Sequence, residues 1–376
     1  MRYVDEFRNG ELAGRLAERI AAEAQAGRDY RLMEFCGGHT HAISCYGLTD
    51  LLPPGVHMIH GPGCPVCVLP AGRIDQAIEL ALRGEVTLCS YGDCLRVPGA
   101  GGRSLLKAKG EGAEVRMVYS ASDALALARN EPQRQVVFLA IGFETTAPTT
   151  AAVVKQAAAL GLSNFSVLCN HVLTPAAMHA ILARQNARQA DARLHGVVGP
   201  AHVSLVIGSR AYRVFAEDYA TPVVIAGFEP LDVMQAVLML VRQINRGCAS
   251  VENEFTRAVT CEGNRKAQAM IDEVFEVRPD FEWRGLGTIE NSALKIGPSY
   301  ARFDAEVRFA TNYRSVPEHR GCECAAILRG EKRPQACRIF GTACTPDTPL
   351  GACMVSAEGA CAAHYTYGRS RLERAQ

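Results

Sequence analysis

The chain has 376 residues, 48% of them hydrophobic and 21% charged, and its 40 basic and 39 acidic side chains leave a formal net charge of +1. That balance excludes a globally basic nucleic-acid binder and an acidic tail protein, and one Trp with 7% aromatics leaves little material for base stacking. At roughly 100–200 residues per domain the length suggests two or three domains, large enough to bury cores without disulfide staples.

The first ten residues, MRYVDEFRNG, are charged and lead into no apolar run, so no secretory signal is expected. The longest apolar runs, such as 136–143, fall far short of the ~20 residues that span a bilayer. A cytoplasmic protein without a membrane partner is expected, and there disulfides are rare. The 15 cysteines therefore point to metal binding or redox chemistry.

Short β-branched runs follow at 31–35, 56–60, 86–90, 115–119, 136–141, 165–169, 194–198 and 222–226. Ala-rich helical stretches at 75–84, 122–130 and 150–160 fill several of the intervals. Strand, helix and strand repeating at about thirty residues is the βαβ unit of a parallel sheet, so the fold class is α/β. An internal echo favours two sheets of four strands over one of eight. FLAIGFETTAP (138–148) and VVIAGFEPLD (223–232) both end an apolar run with Gly-Phe-Glu. Each Glu stands at the carboxyl end of a strand, where open sheets place ligand sites; the alternative is an acid favoured by a helix N-terminus. Beyond 230, amphipathic helices at 231–247 and 264–276 precede a loop-rich, Gly/Cys/Pro-rich segment from 277 to 363.

That segment carries Cys322, Cys324, Cys337, Cys344, Cys353 and Cys361. Thiolates ligate iron–sulfur clusters, and four suffice for one. The two surplus cysteines suit a redox pair. Structural zinc and inert buried thiols are the alternatives, but zinc modules usually present paired C-x2–4-C knuckles, and here the one close pair is C-x-C.

The second constellation is EFCGGHTH (34–41) with HGPGCPVC (60–67). Cys36 and His39 follow the 31–35 strand, and the C-x-x-C pair Cys64 and Cys67 follows the 56–60 strand. Both loops leave the carboxyl edge of one parallel sheet, so three thiols and an imidazole can converge there as a soft site for iron or zinc. Other loops expected at that edge supply Asp93, Arg96, Asn170, His171 and His202, each with a plain structural alternative, while His57 and His179 are read as caps. No phosphate loop, dinucleotide fingerprint, zincin motif or nucleophile elbow is present.

Taken together, CGGHTH, GPGCPVC, YGD-x-x-RVPG, IGFETTAP, CNHVLTP, AGFEPLD, WRGLG and GTACTP…GACMVSAEGAC resemble the HypD family of hydrogenase maturation factors, in order and over almost the whole chain. The resemblance implies a scaffold that, with the small chaperone HypC, assembles the Fe(CN)2(CO) unit of NiFe-hydrogenases. Cyanide would arrive as a thiocyanate on HypE, charged upstream by HypF. It also implies two similar α/β domains, taken as 30–122 and 123–230, and a third (1–29 with 231–376) holding a 4Fe–4S cluster. Carried over by position, Cys36 holds the iron with a cysteine of the chaperone. Cys64 and Cys67 are further iron ligands or an electron-supplying thiol pair. Cys322, Cys337, Cys344 and Cys361 ligate the cluster, and Cys324 and Cys353 form a redox pair. His39, Asp93, Arg96 and His202 are expected to bind or protonate ligands at the iron. Ala325 departs from the glycine expected after the C-x-C. A free-standing iron–sulfur thiol–disulfide oxidoreductase and a zinc-bearing binding module are the competing readings.

Overall fold

A computed structural model describes residues 5–185 and 193–374, so the outermost residues of the expected third domain (1–4, 375 and 376) lie outside the described residues. The expected strands are β1 (Tyr30–Glu34), β2 (Val56–His60), β3 (Val86–Ser90), β4 (Val115–Met117), β5 (Gln135–Gly142), β6 (Phe165–His171), β7 (Gly196–Pro200) and β8 (Val223–Ala226). A ninth, β9 (Val251–Asn253), escapes the sequence pattern because it is only three residues long and two of them are polar.

The strands form two wholly parallel sheets, confirming the α/β class, with orders β2-β1-β7-β8-β9 and β4-β3-β5-β6. The first therefore has five strands rather than four. The chain starts one sheet, crosses to build the whole of the second, then returns to finish the first. Segments 30–122 and 123–230 each contribute strands to both sheets. Hydrophobic periodicity reports where a strand lies, not which strand it pairs with.

Parallel sheets need both faces covered, and three apolar clusters do this. One holds the inner faces of both sheets together, with Met33, Leu88, Val137, Val197 and Ile225. A second covers the far face of the four-stranded sheet around Phe138 and Phe165. In the third, the helix Pro230–Arg246 lies over Leu32, Val198 and Val224.

After that helix come two small antiparallel pairs, β10 (Phe275–Val277) with β13 (Leu294–Ile296) and β11 (Asp280–Trp283) with β12 (Gly287–Glu290). A buried ionic knot fastens this region to the second sheet. Glu306 takes Arg73 at 2.6 Å and also Arg278, and the Arg73 guanidinium lies 4.2 Å from the Tyr313 ring centroid and 4.7 Å from that of Phe281. The tail is loop-rich, as expected, with short helices such as Cys324–Leu328 and a last helix Ala360–Arg374 packed on the helix Gly37–Tyr46.

The echoed glutamates serve helix termini. Glu144 accepts Thr174 N and Thr174 Oγ1, both at 2.9 Å, at the start of the helix Thr174–Gln185. Glu229 caps the helix Pro230–Arg246 and pairs with Arg8.

Two stability effects follow. Glu306→Ala leaves Arg73 buried without its carboxylate, and should cost about 3–5 kcal/mol in denaturant unfolding. Burial pushes the Glu144 carboxyl from 4.5 up to about 7. The unfolded chain then releases this proton first, so stability should fall as pH rises through that window, by an amount on the order of 3 kcal/mol. Glu144→Gln should flatten that part of the pH–stability curve.

Candidate functional site

β1 and β2 are register neighbours, Glu34 opposite His60, so the loops that leave them start side by side. Cys36 N-caps the helix Gly37–Tyr46, and Cys64 N-caps the short helix Pro65–Val68 with Pro at its first position. The loops are hydrogen-bonded to each other: Gly37 N donates to Gly63 O and Gly61 N to Glu34 O, both at 3.0 Å. Glycine is required for this approach, since a Cβ on Gly63 would strike the Cys36 backbone and one on Gly61 the Glu34 carbonyl.

The sulfurs of Cys64 and Cys67 are joined as a disulfide, with Cα atoms 5.2 Å apart. Iron can be held only by thiolates, so ligation by these two residues requires reduction first. Cys36 is a buried free thiol. Burial, then the nearby Glu358 and Glu34 carboxylates, push it far above the ordinary thiol range, against the backbone N–H groups of Gly38 and His39.

Cys36, Asp93 and His202 share one cavity of about 840 Å3 between the carboxyl edges of the two sheets. Phe35, Ile141, Phe143 and Val203 give it apolar walls. Asp93 lies just after β3, in the second sheet, so the polar loops come from two sheet edges rather than one. His202 sits in the helix Ala201–Ile207, its ring 4.1 Å from that of Phe228. Burial and the neighbouring His39 lower its pKa.

Two predicted residues stand elsewhere. His39 is fully buried behind the cavity, its Nε2 bonded to the carbonyls of Ala226 and Gly227 at 3.0 Å each. Nε2 is therefore the protonated nitrogen and Nδ1 is buried with no partner among the described residues, while burial favours the neutral ring. Arg96 clamps the tail, donating to Pro346 O and Val355 O at 3.1 Å. His171 is structural: it bonds Thr150 Oγ1 at 2.9 Å, and burial lowers it to about 4. Asn170 is buried in β6 and donates to Leu168 O. His57 and His179 pair peripherally with Asp29 and Tyr219.

Sequence reasoning missed two carboxylates. Glu34, with no solvent exposure, accepts Cys36 N at 2.9 Å, the Thr40 hydroxyl and His60 Nδ1 at 3.0 Å. His60 reaches on to His364 of the last helix, Nε2 to Nε2 at 2.9 Å. An acid ending an otherwise apolar run was the available signal. Glu358 comes from the tail and lines the cavity above Gly37, where a Cβ would collide with it. Burial and then Asp93 raise its pKa.

Behind the disulfide lies a nest of tail thiols. Cys324, Cys344, Cys353 and Cys361 are buried in one apolar cluster, with the half-buried Cys322 and Cys337 packed against it. Backbone N–H groups already point at sulfur, Cys324 N to Cys322 and Leu350 N to Cys344 at 3.5 and 3.4 Å. A Cβ on Gly351 would run into the sulfurs of Cys322 and Cys324. Ala325 lies within the helix Cys324–Leu328 and needs no left-handed backbone, so the missing glycine costs nothing. Among the described residues no three His, Cys, Asp or Glu side chains already surround one point as a finished metal site. The donor set of soft sulfurs with N–H···S support nevertheless suits an iron–sulfur cluster.

The family model described as HypD, "Hydrogenase formation hypA family", matches residues 11–368. The hydrogenase expression/formation protein HupD of Azotobacter chroococcum is 65% identical over 371 residues, covering 99% of this chain and 98% of that one. The hydrogenase maturation factors HypD of Cupriavidus necator and Escherichia coli K12 are 62% and 48% identical, covering 98% and 99% of this chain and 98% and 100% of their own.

The burial contrast among thiols is directly measurable. Cys248 and Cys261 are exposed, whereas Cys36 is buried and held protonated. Timed alkylation read by peptide mass spectrometry should label Cys36 at least roughly tenfold more slowly than those two.

Proposed function

The chain belongs to the HypD family of hydrogenase maturation factors, and we propose that it is the scaffold on which the Fe(CN)2(CO) unit of a NiFe-hydrogenase is built, together with a HypC-type small chaperone. The iron unit is cargo. Cys36 supplies one thiolate to it from inside the cavity and the chaperone supplies another. Cyanide comes from the thiocyanate of HypE, which HypF charges. The observation that carries this reading is spatial: the buried Cys36 thiol lines an apolar-walled cavity, on a loop hydrogen-bonded to the loop that leads into the Cys64–Cys67 disulfide.

Release of cyanide from a thiocyanate is reductive. The S–CN bond takes up two electrons and one proton, giving a thiol on the carrier and a cyanide ion that passes to iron. Reduced Cys64 and Cys67 can provide both electrons, closing to the disulfide and releasing two protons, one of which the carrier sulfur takes. The apolar walls keep water from the iron–carbonyl unit. Asp93, His202 and Glu358 line the cavity and are placed to take or give the protons; His39 orients the floor of the cavity through its two carbonyl contacts.

A 4Fe–4S cluster in the tail would supply single electrons to regenerate the dithiol. The ligand set is read as Cys322, Cys337, Cys344 and Cys361, with Cys324 and Cys353 as the redox pair; what supports it is that all six lie in or against one apolar cluster. No helix among the described residues is long and apolar enough to cross a membrane.

Infrared spectra of the complex purified with its chaperone test the proposal. Cys36→Ala and Cys64→Ser should each remove the CN and CO stretching bands, and bands of full intensity in either variant refute the assigned role. Disulfide-reductase turnover by the chain alone, without partners, would favour the free-standing oxidoreductase instead.

A further inference from the structure

The loop between β11 and β12 carries a guanidinium into the interior. Arg284 is 2% exposed. Its amide donates to Val68 O at 2.7 Å and its Nε to Leu69 O at 3.0 Å, the two residues directly after Cys67. Nη1 is paired with Glu318. Nη2 is buried and, among the described residues, has no acceptor. Buried donors are rarely left unmade in folded proteins, and a cationic one least of all.

The loop that carries Arg284 packs against the start of the helix that begins at Cys324. Burial lowers the Arg284 pKa, and negative charge on the sulfurs of Cys324, Cys353 and Cys322 would oppose that. The next turn of the loop seals the arrangement. Gly285 takes a positive φ of 79° directly against Ala325, where a Cβ would collide with the helix that begins at Cys324. Arg329, which C-caps that helix, donates to Gly285 O at 2.6 Å.

We propose that Arg284 is a positioning residue that sets the reduction potential of the tail site, its buried, fixed charge favouring the reduced state. The proposal rests on the reading of the nest as a cluster-bearing redox site. Reduction adds one negative charge there. A buried cation held at fixed distance stabilises that charge with little screening by salt. Because the same side chain grips the backbone behind Cys67, one cation lies between the nest and the Cys64–Cys67 disulfide.

The test uses the full-length chain with its cluster, purified anaerobically and titrated against redox mediators while electron paramagnetic resonance follows the reduced state. Arg284→Gln should make reduction about tenfold less favourable, a fall of about 59 mV for a one-electron couple. Glu318→Gln keeps the guanidinium and removes its counter-charge, so it should raise the potential. Shifts of opposite sign in the two variants support the proposal, since a purely structural role gives no reason for the sign to reverse. An unchanged potential in Arg284→Gln at wild-type iron content overturns it. If Arg284→Gln does not fold, Glu318→Gln decides alone: an unchanged or lowered potential overturns the proposal. Absence of iron and sulfide from the wild-type chain is a separate result, and it overturns the cluster reading itself.

Discussion

A carboxylate shut off from water holds the cavity together. Glu34 ends β1, and its two oxygens accept the amide of Cys36, the hydroxyl of Thr40 and the ring of His60. A buried charge is tolerable only when hydrogen-bonded from several sides, so those partners are locked in turn. One strand end, the helix capped by Cys36, the end of β2 and, through His60 and His364, the final helix all meet there. The glycines around it serve the same packing: Gly61 and Gly63 let the second loop lie flat on the first, and Gly37 leaves room for Glu358.

Much of this was legible in the sequence and some of it was not, for identifiable reasons. Eight strands announce themselves because central strands of a parallel sheet are buried on both faces and run largely apolar, as in β5 and β8. Their division between two sheets does not, because β1 pairs with β7 across most of the domain and no local pattern encodes that partner. The loops that carry Cys36 and Cys64 lie against each other, as loop logic requires. His39 and Arg96 show where that logic stops. Both lie on the right loops, yet one is consumed by carbonyls behind the cavity and the other by the tail. Glu34, Glu358 and Arg284 were missed because a single polar residue inside an apolar or irregular stretch looks incidental until its burial is known.

The thiols sort by environment more sharply than by spacing. Cys89, Cys94 and Cys169 are pushed up to about 12 by burial in the sheets and their flanks, which marks them as inert packing. Cys248 and Cys261 lie at the surface. Cys36 and Cys64 instead each N-cap a helix, and Cys322 and Cys344 accept backbone N–H groups at 3.5 and 3.4 Å.

The excursion of the chain through the second sheet also has a kinetic side. Leu32 of β1 pairs with Gly196 of β7, and the strands of the entire second sheet are made between them. During synthesis β1 and β2 emerge first, with one side of β1 unpaired until β7 arrives. Loops of that span close slowly, and an open apolar strand edge invites wrong pairing meanwhile. The Cys36 loop thus stays uncovered until the later residues, Glu358 among them, pack over it. Protection of this thiol from stray alkylation and oxidation is consequently a property the molecule gains late, when the tail docks.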